Sequence, residues 1–282
     1  MAGISAAAVK SLREKTGLPM MECKKALVET SGDEEGAIRW LRENGVAIEG
    51  KRQDRVTEFG RFGVFADFEN GVGAMVELKC ESASVTQLED FILLAEDMAK
   101  VLAEGPGAAT PEELLAQPST IKPGTTLGEL KLDLFNRVRE VFNIGRMIRI
   151  DAPTGGYSHN SSTVAGVLIE VEGGDSETAK DVSMHIAAMR PSALNVDELD
   201  PKVVENERSI LTEAARNEGK PDKIIEKMVE GRLRNFYAES VLLEQPFVKD
   251  DKQSVGNYAK EKGMKVKRFV HWQLGEGDQS EG

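Results

Sequence analysis

The stretch Arg61-Phe62-Gly63-Val64-Phe65-Ala66-Asp67-Phe68-Glu69-Asn70-Gly71-Val72-Gly73-Ala74-Met75-Val76-Glu77-Leu78-Lys79-Cys80 decides the fold. Upstream of it, apolar residues recur every three or four positions. Within it, Phe62, Val64 and Ala66 alternate with their neighbours, and alternation resumes from Val72 to the end of the stretch. A change of period from near 3.6 to near 2 marks the passage from helix to strand. Asn70-Gly71 between the two runs suits a two-residue turn, because both residues tolerate positive φ. The sequence therefore predicts an antiparallel hairpin preceded by helices.

Working back from the hairpin, three short helices with their punctuation occupy the first 45 residues. Ser5 caps the first, whose inner face holds Val9 and Leu12, and Gly17 ends it; Pro19 opens the second, which carries Met21, Ala26 and Leu27 before Ser31-Gly32. Asp33 caps the third, with Ile38 and Leu41, and Asn44-Gly45 closes it. Residues 49–55 are charged and aperiodic, so they read as a linker or an exposed helical extension.

Working forward, Phe91, Leu94, Ala95, Met98 and Leu102 share one face of a long helix, which the Pro-, Gly- and Thr-rich segment 105–128 breaks. A helix over 130–142 and a strand near 147–150 complete a first module, 55–150. A strand over 164–171 and a helix over 175–190, with Ala179, Val182, Ile186 and Met189 inward, begin a second. The run Asp181-Val182-Ser183-Met184-His185-Ile186-Ala187 echoes Asp97-Met98-Ala99-Lys100-Val101-Leu102-Ala103, which hints at duplication. Two helices, 201–217 and 222–236, joined by Gly219-Lys220-Pro221, form an antiparallel protrusion of the kind that commonly serves assembly. Val203, Val204, Ile210, Leu211 and Ala214 are expected to face Ile224, Ile225, Met228, Leu233 and Phe236. A last strand covers 266–274. In order, the elements read as a three-helix bundle, a first strand-and-helix module, a second such unit and a helical hairpin.

Composition narrows the function. The 282 residues carry 48 acidic against 36 basic side chains, a formal charge of -12, so phosphate-rich nucleic acid is a poor ligand. No apolar run approaches the roughly 20 residues that span a bilayer, and the first residues lack a basic then apolar leader, which points to the cytoplasm. Cys23 and Cys80 form no CxxC pair, and His159, His185 and His271 are scattered singly, so no zinc, disulfide or metal framework is suggested. Neither GxxxxGK[ST], GxGxxG nor GxSxG occurs. A protein partner or a small molecule is the expected ligand, and nothing among these motifs supports an enzyme or a cofactor.

The string Val9-Lys10-Ser11-Leu12-Arg13-Glu14-Lys15-Thr16-Gly17-Leu18-Pro19-Met20-Met21-Glu22-Cys23-Lys24-Lys25-Ala26-Leu27 resembles the amino-terminal signature of the elongation factor Ts family. The resemblance continues through Tyr157, His159 and Gly166-Val167-Leu168, through Met184-His185-Ile186-Ala187-Ala188 with Pro191, then Lys227-Met228-Val229-Glu230-Gly231-Arg232-Leu233 and Leu242-Leu243-Glu244-Gln245-Pro246-Phe247-Val248. These blocks span residues 5 to about 275. The resemblance implies an α+β fold with a ubiquitin-associated-like (UBA-like) three-helix bundle at 1–50, a two-part core of antiparallel sheets with helices at 55–150 and at 151–195 with 237–275, an inserted helical hairpin at 196–236 and a flexible tail at 276–282. It also implies guanine-nucleotide exchange on elongation factor Tu, with homodimerisation through the hairpin as a further partnership and neither nucleic acid nor membrane as a partner.

By the same resemblance, Lys10, Leu12, Arg13, Met20 and Met21 grip the partner's nucleotide domain. The plainer role of the two methionines is core filling, with Met21 inward and Met20 outward, and that of Lys10 and Arg13 is a solvated charged face. His185, beside Ile186, reads as a hydrogen-bonded core residue, whereas His159, in the polar segment 155–162, matches a partner-facing position. The segment Glu81-Ser82-Ala83-Ser84-Val85 is where the family places an acidic residue and a phenylalanine as a wedge that disturbs the partner's magnesium and phosphate site. Ala83 and Ser84 replace that pair here. The departure leaves an alternative, a Tu-binding paralogue acting as chaperone or sequestering factor with weak exchange. The chain also ends soon after Gly275-Glu276-Gly277, without the extra helix that many relatives carry.

Overall fold

A computed structural model describes residues 4–52, 54–161, 163–219 and 221–276. Three helices come first: α1 (Ala6–Thr16), α2 (Met20–Glu29) and α3 (Glu34–Gly50). The Ser5 hydroxyl accepts the Ala8 N–H at 3.1 Å, and Gly17 ends α1 at φ 68. Val9, Leu12, Leu18, Cys23, Ala26, Leu27, Ala37 and Leu41 close the space between the three. Met21 departs from expectation, being 73% exposed. It shares a helix face with Lys24, Lys25 and Val28, all exposed, while Cys23, Ala26 and Leu27 form the inward stripe. Asn44-Gly45 does not end α3 either. Gly45 lies where Asn136 would come within 2.5 Å of a Cβ, so the glycine permits close approach inside a continuing helix.

Strands β1 (Phe59–Asp67) and β2 (Val72–Cys80) pair antiparallel as the alternation predicts. The turn differs, because Asp67 faces Val72 and leaves a four-residue connection, 68–71. The Asp67 carboxylate accepts the Asn70 backbone N–H at 2.9 Å and its side-chain amide at 2.7 Å, closing the turn before Gly71 at φ 65. Helix α4 (Glu89–Glu104) covers this sheet with all five expected apolar residues buried. A short α5 (Pro111–Leu115) follows. A capping box between Thr126 and Glu129 starts α6 (Leu127–Val138) three residues before the expected 130. Arg139 at φ 66 ends it, so Phe142 belongs to β3 (Phe142–Ile150) and not to the helix.

The second sheet holds β4 (Thr154–Asn160), β5 (Val164–Gly173) and β8 (Met264–Gln273) in that order, all antiparallel. Strand β4 occupies what reads in sequence as a polar loop, since Gly155-Gly156 and the polar residues after them give no strand signal. Helix α7 (Ser176–Met189), capped by Asp175, packs on this sheet through Ala179, Val182 and Ile186, while Met189 on its last turn is 42% exposed. The two halves use the same device at their helix-sheet contacts. Gly63 admits the Ala95 carbonyl of α4, and Gly155 admits Ala179 of α7.

The sheets face each other through Phe62, Met75, Ile150 and Leu168, with Val270 and Trp272 packed alongside. Arg146 ties them together: its guanidinium donates to Glu77 at 2.9 Å and to the Gln273 carbonyl at 2.8 Å, and it stands 5.1 Å from the Trp272 ring centre. Helices α8 (Pro201–Asn217) and α9 (Asp222–Ser240) then pack along each other through Ala215, Ile225, Val229 and Leu233. Ala215 takes the buried place expected for Ala214, and Val203, Ile210 and Ile224 are exposed rather than inward, because the contact between the two helices is one narrow stripe. Short β6 (Pro246–Phe247), β7 (Asp250–Ser254) and α10 (Val255–Glu261) complete the second half, too brief to show a period in sequence. The fold class is α+β. The expected tail falls, beyond Glu276, outside the described residues.

Candidate partner-binding surface

The predicted contact residues lie on three elements. On the bundle, Lys10, Arg13, Met20 and Met21 are exposed, and Lys10 reaches Glu14 one turn along α1 at 3.8 Å. Leu12 is 0% exposed and lies in the bundle core, so here it supports the face from behind. Lys10 and Arg13 stand three apart on α1, while Met20 and Met21 form the first turn of α2 across the short connection through Gly17. One soft apolar pair at the start of α2 and two cations on α1 are thus exposed on the bundle.

The second element is the bend after β2. Glu81 is fixed from two sides, accepting the Val141 N–H at 2.8 Å and the Arg55 guanidinium at 3.0 Å. Ser82 donates its N–H at 3.0 Å and its hydroxyl at 2.6 Å to Glu140. Thr86 Oγ1 donates to the Ala83 carbonyl at 2.7 Å, and Arg61 donates to the Thr86 carbonyl at 3.0 Å. Ala83 and Ser84 are left exposed at a firmly held apex, whereas Val85 turns back into the core at 3% exposure. Arg61 and Glu140 carry no local sequence signal, because they stand 25 and 58 residues from the atoms they hold. The nearby Cys80 thiol is pushed up to about 12 by burial first and by Glu140 second, so it stays protonated and unreactive at neutral pH.

His159 is the third. It lies on β4, half-buried, with Nδ1 2.6 Å from the Thr163 carbonyl and Nε2 3.1 Å from Ser161 Oγ. Both nitrogens thus close the β4–β5 turn, and the ring edge is what remains to meet another surface. His185 is 0% exposed, with Nε2 2.9 Å from Gln245 Oε1 and Nδ1 accepting the Val248 N–H at 3.3 Å; burial holds its pKa below the ordinary imidazole value. It is a core residue, as its setting in the sequence suggests.

The bundle sits on the first half of the core through α3 and α6. Arg139 pairs with Glu22, Arg52 donates to the Arg139 carbonyl at 2.9 Å, and Arg42 lies 3.6 Å from Glu129. A cavity of about 710 Å³ separates the two, with Leu18, Ile38, Leu93, Leu94 and Leu134 among its apolar walls. Of the charged groups lining it, Arg137 pairs with Asp90 and Lys122 with Asp133. Among the described residues, no cluster of three His, Cys, Asp or Glu could hold a metal ion, and no helix is long and apolar enough to cross a membrane.

Comparison with known proteins places the chain. A family model described as elongation factor TS matches residues 81–276. Elongation factor Ts of Alkalilimnicola ehrlichii is 40% identical, over 97% of this chain and 93% of its own length. The Methylococcus capsulatus protein of the same name is 40% identical over 99% and 94%, and that of Hyphomonas neptunium 41% identical over 98% and 94%. With the match extending over nearly the whole of both partners, the chain belongs to the elongation factor Ts family.

Proposed function

We propose that the protein is a guanine-nucleotide exchange factor for elongation factor Tu in translation elongation, a non-catalytic partner that promotes GDP release so that GTP can load. The observation that carries this is the near full-length kinship with elongation factor Ts proteins, at about 40% identity. The mechanism follows from linkage: a protein that binds nucleotide-free Tu more tightly than GDP-bound Tu must weaken GDP by the same factor. A coupling of about 3 kcal/mol corresponds to roughly 150-fold. No bond in the nucleotide is broken.

Lys10, Arg13, Met20 and Met21 form the amino-terminal grip, Glu81 to Ser84 the central contact and His159 the contact of the second half. Leu12 and Val85 hold the first two in place from the interior. The bundle at 1–50 is a UBA-like unit, the core divides into 55–150 and 151–195 with 237–275, and 196–236 is an inserted hairpin that serves a homodimer. Exposed Val203, Ile210 and Ile224 on that hairpin support the last role. The site of action is the cytoplasm, with neither nucleic acid nor membrane as a direct partner. Stopped-flow release of fluorescent GDP from Tu tests the proposal: the protein accelerates release in a concentration-dependent manner, and unchanged release at saturating protein refutes exchange. Converting Ala83 and Ser84 to Asp and Phe raises the rate if the apex limits it.

A further inference from the structure

We infer that the contact at residues 81–84 extends sideways onto an apolar patch made by Val56, Phe59 and Leu88, and that Phe59 is its aromatic anchor; this rests on the exchange-factor proposal above. The apex itself offers a partner only the methyl of Ala83 and the hydroxyl of Ser84. Around it stand three large apolar side chains that the fold leaves in water, Val56 at 72%, Phe59 at 40% and Leu88 at 41% exposure.

Register and hydrogen bonds bring them to the same place. Phe59 pairs with Cys80, the residue just before the bend, and so shares its face of the sheet. Strand β1 is an edge strand, which leaves the Phe59 side open. Arg61, two residues on and on the same face, donates to the Thr86 carbonyl at 3.0 Å, which draws the chain leading to Leu88 along this edge. Arg55 binds Glu81 at 3.0 Å, which holds the residue next to Val56 against the bend. An exposed aromatic flanked by aliphatic groups on a rigid support is the composition of a binding hot spot rather than of ordinary surface.

The rim selects the occupant. Glu58 and Glu89 are exposed here, beside Asp90, which Arg137 engages at 2.6 Å, on a chain with a formal charge of -12. A second copy would bring these acids against their own kind. The patch instead fits an apolar pocket with a basic rim, and its continuity with the contact at 81–84 assigns it to the GTPase partner.

The test compares wild type with F59A, V56S and a control, V248S, in which an equally apolar side chain 48% exposed on the β6–β7 connection is removed. Val56 is so exposed that V56S leaves the fold intact, and circular dichroism checks F59A. Affinity for nucleotide-free Tu and release of fluorescent GDP are measured, with sizing columns for self-association. F59A weakens binding about tenfold or more and slows stimulated release, V56S weakens it about threefold, and V248S matches wild type. If wild type binds and stimulates while F59A and V56S stay within about twofold of it, the patch is refuted and the exchange-factor proposal stands. A change confined to self-association also overturns the patch. If wild type neither binds nor stimulates, the exchange-factor proposal fails and takes the patch with it.

Discussion

Replacing Gly63 by alanine tests the helix-sheet contact on which the first half of the core depends. A Cβ at Gly63 would stand 1.9 Å from the Ala95 carbonyl oxygen and 2.4 Å from its carbon. Ordinary contact begins near 3.4 Å, so α4 must retreat from β1 by about 1.5 Å. The obstacle is backbone in mid-helix and no side chain can swing away. A retreat of that size loosens Phe91, Met98 and Leu102, each at most 1% exposed, from the sheet. Overpacking with backbone movement costs typically 1–3 kcal/mol, and the depth of this overlap puts Gly63→Ala at about 3 kcal/mol. At roughly 2–4 °C per kcal/mol for a chain of this size, the melting temperature falls by about 6–12 °C. Gly231, in α9 with nothing within 4 Å of an added Cβ, is the internal control. There the same substitution favours the helix by about 0.5–1 kcal/mol. Thermal unfolding followed by circular dichroism reads both. A Gly63→Ala protein melting within about 2 °C of wild type would refute the account of how α4 seats on the sheet.

Two further outcomes follow from buried groups. His185 is neutral in the folded protein and its pKa lies below the ordinary 6.5, with burial as the main cause and the Gln245 bond opposing it. The unfolded chain therefore binds the extra proton more readily, and the contribution of His185 to stability is fully present above about 6.5 and is lost as pH falls below it. His271 is depressed in the same direction by burial. Between pH 7 and 5.5 the wild-type melting temperature falls, and His185→Gln flattens the slope; an equal slope in the variant contradicts the assignment. On the bundle, Leu12→Ala lowers bundle stability by about 2–5 kcal/mol because it empties a core position, whereas Met21→Ala, at 73% exposure, leaves melting unchanged and weakens Tu binding. Unchanged Tu binding in Met21→Ala at normal stability would remove that residue from the contact surface.

Local rules explain what the sequence disclosed. The β1–β2 hairpin, the Ser5 cap, the buried stripe of α4 and the helices α8 and α9 are all written in spacing and punctuation that act over a few residues. What stayed hidden depends on partners distant in the chain. Gly45 looks like a helix stop until Asn136 arrives against it, and β4 has no strand pattern because its inward places are glycines that admit a helix and the facing sheet. The contact residues divide in the same way. Kinship motifs locate Met20, Met21 and His159, but only burial separates the exposed members from Leu12 and Val85, and only the register of β1 on β2 brings Phe59 beside the bend. The Asn70-Gly71 turn shows a local signal overruled locally: the Asp67 carboxylate captures Asn70 and fixes a longer loop.

The most direct test of the central claim is titration of this protein into Tu carrying fluorescent GDP, with release followed in real time and complex formation followed in parallel. The account predicts a release rate that climbs with concentration to a plateau, and a complex tighter for nucleotide-free Tu than for Tu with GDP by the factor through which GDP is weakened. Equal affinity for the two forms, or release that stays at its spontaneous rate, would contradict it.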